Sequence, residues 1–125
     1  VGDNSRLMAS KEKYLVVIKD GFKAKKKDPP AILRLMLYQA TVLFIVKNLS
    51  ACERIVAWGL EISNKLKSNI SQANFYRILA CIALIRKDYI KARDLFSKAL
   101  EIFALVGCGL GTASCESALG YIRFL

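Results

Sequence analysis

Lys47-Asn48-Leu49-Ser50-Ala51-Cys52-Glu53-Arg54-Ile55-Val56-Ala57-Trp58-Gly59-Leu60-Glu61-Ile62 lines up without a gap on Lys87-Asp88-Tyr89-Ile90-Lys91-Ala92-Arg93-Asp94-Leu95-Phe96-Ser97-Lys98-Ala99-Leu100-Glu101-Ile102, at a constant offset of 40 in the numbering. The identities are Lys47/Lys87, Leu60/Leu100, Glu61/Glu101 and Ile62/Ile102. Elsewhere small residues face small ones (Cys52/Ala92, Gly59/Ala99) and branched or aromatic residues face their like (Ile55/Leu95, Val56/Phe96). Self-similarity at this period marks a solenoid, in which one unit cannot bury its apolar face alone and stacks on a copy of itself.

The downstream copy has the period of a helix. Ala92, Leu95, Phe96, Ala99, Leu100 and Phe103 fall at i, i+3, i+4, i+7, i+8 and i+11, one stripe at 3.6 residues per turn. Lys91, Arg93, Asp94, Lys98 and Glu101 fill the other side. Small residues at Ala92 and Ala99 let a second helix approach to about 8–10 Å, with Phe96 inserted between neighbours.

Leu79, Ala80, Ala83, Tyr89, Ala92, Phe96 and Ala99 resemble the tetratricopeptide repeat pattern, a large and a small residue on a first helix meeting a small, large, small series on a second. The upstream copy keeps the sizes at Ala40, Cys52, Val56 and Gly59, but has Gln39 for the usual Leu and Leu43 for the usual aromatic. Ala104 stands where the family has Pro, and the spacing of 40 exceeds the commonest 34. The resemblance is to the longer-period variety. It implies an all-α, right-handed α-solenoid of antiparallel helix pairs, with about five to six helices.

At 125 residues the chain is one domain's worth. A second helix of a preceding repeat is expected over 6–28, with Leu15 and Val16 where Ile55 and Val56 sit. Repeats follow at 30–68 and 71–106, with a first helix of a next repeat at 112–125 and Gly107-Cys108-Gly109-Leu110-Gly111 as the turn into it. Hydrophobic content of 54% and the half-repeats at either end read as a fragment of a longer array, a trimmed chain, or a subunit whose uncapped ends dock on something else, self-association included. Arg34 and Gln39 interrupt one long apolar run, Glu116 and Arg123 the other, so neither suits a bilayer. No secretory signal is visible, and the expected setting is intracellular, cytoplasmic or nuclear.

Cys52, Cys81, Cys108 and Cys115 form no C-x-x-C pair and the chain has no histidine, which argues against a metal site. Cys52 and Cys81 occupy positions that want a small apolar residue, while Cys108 and Cys115 flank a helix start; reduced thiols are expected throughout. Ten acidic residues scattered among twenty basic ones offer no acid–base pair. The glycine cluster has neither the lysine of a phosphate-binding loop nor a preceding strand. No enzymatic activity and no cofactor are therefore expected.

A net charge of +10 raises the question of nucleic acid or an anionic membrane surface. Lys19, Lys23, Lys25, Lys26 and Lys27, running into an Asp28-Pro29-Pro30 turn, form a candidate anion-binding edge or a solvated loop. The family resemblance implies a groove lined by first helices, with contacts from Arg34, Leu37 and Thr41, from Asn74, Arg77 and Cys81, and from Ser114, Ser117 and Tyr121. It also implicates Phe44, Ile45, Leu84, Ile85, Phe124 and Leu125, the first four of which read equally well as core. Lys and Asn, the pair with which chaperone-binding members hold a C-terminal carboxylate, are missing: the corresponding residues are Leu37/Thr41 and Arg77/Cys81. The expected function is a protein-interaction module or scaffold, taking a peptide or helix with apolar anchors and acidic residues. The rivals are a basic repeat module that binds RNA or DNA and a ligand-sensing regulatory domain.

Overall fold

Pro29 and Pro30 open a helix rather than closing a turn, since the first helical turn has no intrahelical use for the N–H groups that proline lacks. A computed structural model describes residues 29–125. The helix expected over 6–28 and the lysine cluster lie outside the described residues. Five helices follow in order: α1 (Pro29–Ile45), α2 (Leu49–Lys65), α3 (Asn69–Ile85), α4 (Tyr89–Leu105) and α5 (Gly109–Arg123). Their first residues are numbered 29, 49, 69, 89 and 109, so the step is constant. The sequence repeat is thus a pair of helices, α1–α2 and then α3–α4, with α5 beginning a third pair.

The step is set by one corner made four times. Lys47, Lys67, Lys87 and Gly107 adopt φ of 66°, 55°, 62° and 75°. Each ends a Schellman motif. At the first corner Lys47 N–H donates to Phe44 C=O at 3.0 Å and Asn48 N–H to Leu43 C=O at 2.9 Å. The same pair of bonds recurs at Lys67–Ser68, Lys87–Asp88 and Gly107–Cys108. The next residue is already the N-cap of the following helix: Asn48 accepts from Ala51 N–H and Asp88 from Lys91 N–H. A corner this short turns successive helices back on one another.

Gly107 and Cys108 alone make the last corner, shorter than the expected turn. Gly109, Leu110 and Gly111 belong to α5, which starts ahead of the expected Thr112. Cys115 therefore lies within that helix, buried, and not at its start.

Each helix packs on its chain neighbours, and α1 also packs on α3. The expected stripe on α4 holds: Ala92, Phe96, Ala99 and Phe103 are buried and Leu95 and Leu100 half-buried, while the five charged residues face water. One core joins α1, α2 and α3 through Leu33, Met36, Ile55, Val56, Phe75 and Ile82. A second joins α3, α4 and α5 through Ala80, Phe96, Phe103 and Cys115. Within each pair the helices meet at small residues. Ala40 faces Cys52, whose thiol donates to Ala40 C=O at 3.2 Å, and Ala80 and Ala92 occupy the equivalent places.

Between pairs, aromatic rings seat in glycine notches. A Cβ on Gly59 would stand between 2.5 and 2.9 Å from three atoms of the Phe75 ring, and one on Gly111 would collide with Phe103. One repeat further on, Gly59 and Phe75 become Ala99 and Cys115. One repeat back, Phe103 and Gly111 become Ser63 and Ser71. The ring thus sits in one layer of the α2–α3 contact and in the other layer of the α4–α5 contact. Buried Ser63 donates to Leu60 C=O, and Ser71 pairs with the Ser68 hydroxyl, so neither hydroxyl is orphaned. Among the described residues no helix is long and apolar enough to cross a membrane.

Two expected outcomes follow from the corner and the notch. A non-glycine residue held at positive φ costs about 1–2 kcal/mol, offset in part by the extra freedom of glycine in the unfolded chain. Lys87→Gly is therefore expected to stabilise by about 0.5–1 kcal/mol in urea unfolding, and Gly107→Ala to destabilise by a similar amount. Gly59→Ala gains about 1 kcal/mol of helix propensity but overpacks by about 1–3 kcal/mol, so it should destabilise. In a Phe75→Leu background the same substitution should become stabilising.

Candidate functional site

The nine positions carried over to a groove lie on α1, α3 and α5, and none of them is buried. Arg34, Thr41, Ser114, Ser117 and Tyr121 are exposed; Leu37, Asn74, Arg77 and Cys81 are half-buried. Leu33, Met36, Ala40, Ala73, Ala80 and Cys115, on the same helices, are buried. Helix periodicity separates the two sets, since residues three and four apart share a face and their intervening neighbours do not. The helices that carry the first two triplets, α1 and α3, are in contact. The positive charge of Arg77 favours the thiolates of both Cys81, one turn along α3, and Cys115 on α5.

Arg77 is also oriented. Its Nη2 donates to Asn74 Oδ1 at 3.5 Å, while Asn74 Nδ2 donates to Ile70 C=O at 3.1 Å. Asn74 is thereby fixed to its own helix, with its oxygen turned toward the guanidinium one turn away. A guanidinium has five N–H donors, so this single bond leaves room for bidentate recognition of a carboxylate. Thr41 donates to Leu37 C=O at 2.8 Å and so presents mainly its methyl group. Phe44 and Leu84 pack against the two cores, whereas Ile45 and Ile85 are exposed. The alternatives left open for these four divide accordingly.

The other side of the array carries a cleft of about 610 Å³ between α2 and α4, floored by Leu79, Ile82 and Ala83 of α3. Glu53 and Arg86 form an ion pair on its wall, and Lys91 and Asp88 stand at its α4 edge. None of the nine expected residues lines it. Sequence reasoning missed it because its walls come from three helices with no shared motif. Glu53 and Arg86 lie in different repeats, and the residues at their equivalent positions are Arg93 and Val46, so no charge pair recurs to be noticed. The ion pair itself is half exposed and contributes at most about 1 kcal/mol.

Cys52, Cys81 and Cys115 are thiols held away from ionisation. Burial, then Glu53 and Cys81, pushes the Cys52 thiol up to about 11. Burial raises Cys81 and Cys115 too, against the opposing pull of Arg77. A nucleophile or metal ligand needs the thiolate, which these surroundings disfavour. Among the described residues no group of three Cys, Asp or Glu side chains is placed to hold a metal ion. What the surface offers is a basic, partly apolar face and an apolar-floored cleft.

No family model, curated protein or solved structure matches this chain.

A thiol whose folded pKa exceeds its unfolded value stabilises the fold fully below the unfolded pKa, and that contribution is lost as pH rises through the folded pKa. The Cys52 contribution should therefore be intact at pH 8 and fall away between about 9 and 11. Cys52→Ala, which installs the residue of the equivalent position Ala92, should flatten that part of the stability–pH curve relative to the parent in denaturant titrations.

Proposed function

We propose that this protein is a tetratricopeptide-like interaction module whose α1–α3–α5 face binds an acidic peptide or helix with apolar anchors. On this reading the array coils with the right-handed sense of that family and carries no catalytic activity of its own. The observation that carries it is Arg77, half-buried on α3, the middle helix of the face, and hydrogen-bonded to Asn74. A partly buried arginine with donors to spare recognises a carboxylate more strongly than an exposed lysine does, because water screens it less. Leu37 and Tyr121 on the flanking helices would supply the apolar contacts that an anchor residue needs.

The nucleic-acid reading rests on Lys19, Lys23, Lys25, Lys26 and Lys27, none of which is among the described residues. The described part holds twelve Lys and Arg against six Asp and Glu, and those lysines carry only Tyr14 and Phe22 near them as aromatics. The interaction reading is favoured on that ground.

The test is affinity capture from nuclease-treated lysate at moderate and high salt, with wild type, Arg77→Glu and Lys91→Glu, each checked for folding by circular dichroism. A protein retained by wild type and by the cleft variant Lys91→Glu, but lost by at least tenfold with Arg77→Glu, is the expected result. Retention of nucleic acid alone, abolished by salt and indifferent to Arg77, would overturn the proposal in favour of the basic-edge reading.

A further inference from the structure

Successive helices run back on one another, so α1 and α3 end at the rim of the array where α2 and α4 begin. Ile45-Val46-Lys47 stands at that rim at the end of α1, and Ile85-Arg86-Lys87 stands there, one repeat on, at the end of α3. All six residues are exposed, as are Ile90 and Lys91 in the first turn of α4. Ile45, Val46, Ile85 and Ile90 are exposed by 67%, 62%, 44% and 69%. Ile85 has a complete helix pair upstream of it, so its exposure belongs to the position and not to the start of the array.

The cations are placed at a cost. Lys47 and Lys87 hold positive φ, which glycine adopts more easily, and a residue in such a conformation points to a use for its side chain. Neither lysine makes an ion pair with a described carboxylate. Of the carboxylates near these two corners, Glu53 pairs with Arg86 and Asp88 accepts from Lys91 N–H. The opposite rim is built otherwise. Lys67 holds positive φ there too, but Leu105, Val106 and Leu110 surround Gly107 with no cation among them.

We propose that the rim of the α1–α2 and α3–α4 corners docks on the surface of a membrane rich in anionic lipid. The aliphatic side chains enter the headgroup layer while the lysines stay at its charged boundary, a division of labour that interspersed aliphatic and cationic groups suit. A nucleic acid would engage the cations alone, since isoleucine and valine offer no ring for bases to stack on. The constant helix step sets Ile45 level with Ile85 and Lys47 level with Lys87, so a flat surface can meet both corners at once. Docking of this kind needs no membrane-crossing helix and uses none of the nine groove positions.

The test is co-sedimentation of the full chain with vesicles of phosphatidylcholine alone and of phosphatidylcholine mixed with phosphatidylserine, at low and high salt. Binding to the mixed vesicles only, weakened by salt, is expected. Each lysine near an anionic surface strengthens binding about fivefold, so Lys47→Gly with Lys87→Gly should weaken it about 25-fold. Glycine suits both corners, so this loss is separable from a loss of folding. Ile85→Ser with Ile90→Ser should weaken binding as well, whereas Lys67→Gly and Leu110→Ser on the opposite rim should not. Absence of binding to the mixed vesicles, or equal losses from the two rims, would overturn the proposal. So would binding that the corner and isoleucine variants leave intact, the result if Lys19, Lys23, Lys25, Lys26 and Lys27 carry it. Single-stranded RNA bound in preference to vesicles, lost with the corner lysines and indifferent to the isoleucines, would assign the rim to nucleic acid and overturn it too.

Discussion

A left-handed residue followed at once by a helix cap is the constraint on which the rest of this structure depends. Lys47, Lys67, Lys87 and Gly107 each stop one helix, and the next residue is already the N-cap position of the following one, with a side-chain cap bond at Asn48 and Asp88, so no linker exists to absorb variation in length. Four of the helices are consequently 17 residues long, about 25 Å. Because every helix starts at the same interval after the last, equivalent positions in successive pairs arrive at the same height and the same rotation. Small residues then meet small ones at Ala40–Cys52 and at Ala80–Ala92 without adjustment. The period, longer than the commonest spacing of the resembled family, is two helices of this length plus two minimal corners.

Helix existence was legible in the sequence because the α4 stripe repeats without interruption from Ala92 to Phe103, and the pairing was legible because the copies match in size. What the sequence concealed follows from how this core keeps its volume. Gly59 with Phe75 is replaced by Ala99 with Cys115, and Ser63 with Ser71 by Phe103 with Gly111. Each swap moves bulk from one layer to the next, so side-by-side alignment sees dissimilar residues where packing sees one ring per interface. The glycine cluster misled for a related reason. Gly107 is needed for its positive φ, but Gly111 is needed within a helix, to admit a ring, and proximity in sequence merged two unrelated demands into one apparent turn. Lys47 and Lys87 match as an identity of the repeat, but the lysines at the first three corners gave no signal of a turn, because lysine is not a residue that positive φ selects.

The candidate site was partly legible for the same reason. Positions on a helical face can be carried over by register, and none of the nine residues so chosen proved buried. Register says nothing about side-chain partners, however. That Asn74 would hold Arg77, and that Thr41 would spend its hydroxyl on its own helix, depends on rotamers that no spacing encodes. The cleft behind α3 was invisible because it is a gap between α2 and α4, which are not neighbours in the chain.

The two edges of the array differ in chemistry, and that difference bears on what each can bind. The outer face of α1 carries Leu35, Tyr38, Val42 and Ile45, all apolar or aromatic. On α5 the positions equivalent to the α3 residues that meet α4 are Ala113, Glu116, Gly120 and Arg123, in place of Ala73, Tyr76, Ala80 and Ala83. A carboxylate and a guanidinium thus stand where the internal repeat has a half-buried tyrosine and a buried alanine, and both are exposed. Leu110 and Phe124 remain uncovered on α5, but their counterparts Ile70 and Leu84 are not fully buried inside the array either. Stacking another helix on α5 would desolvate two charges, whereas covering the α1 stripe desolvates none, so the apolar edge gains more from being covered. The difference gives the described helices a direction, and on the proposed reading a partner lying across α1, α3 and α5 would meet Arg34, Arg77 and Tyr121 in that order.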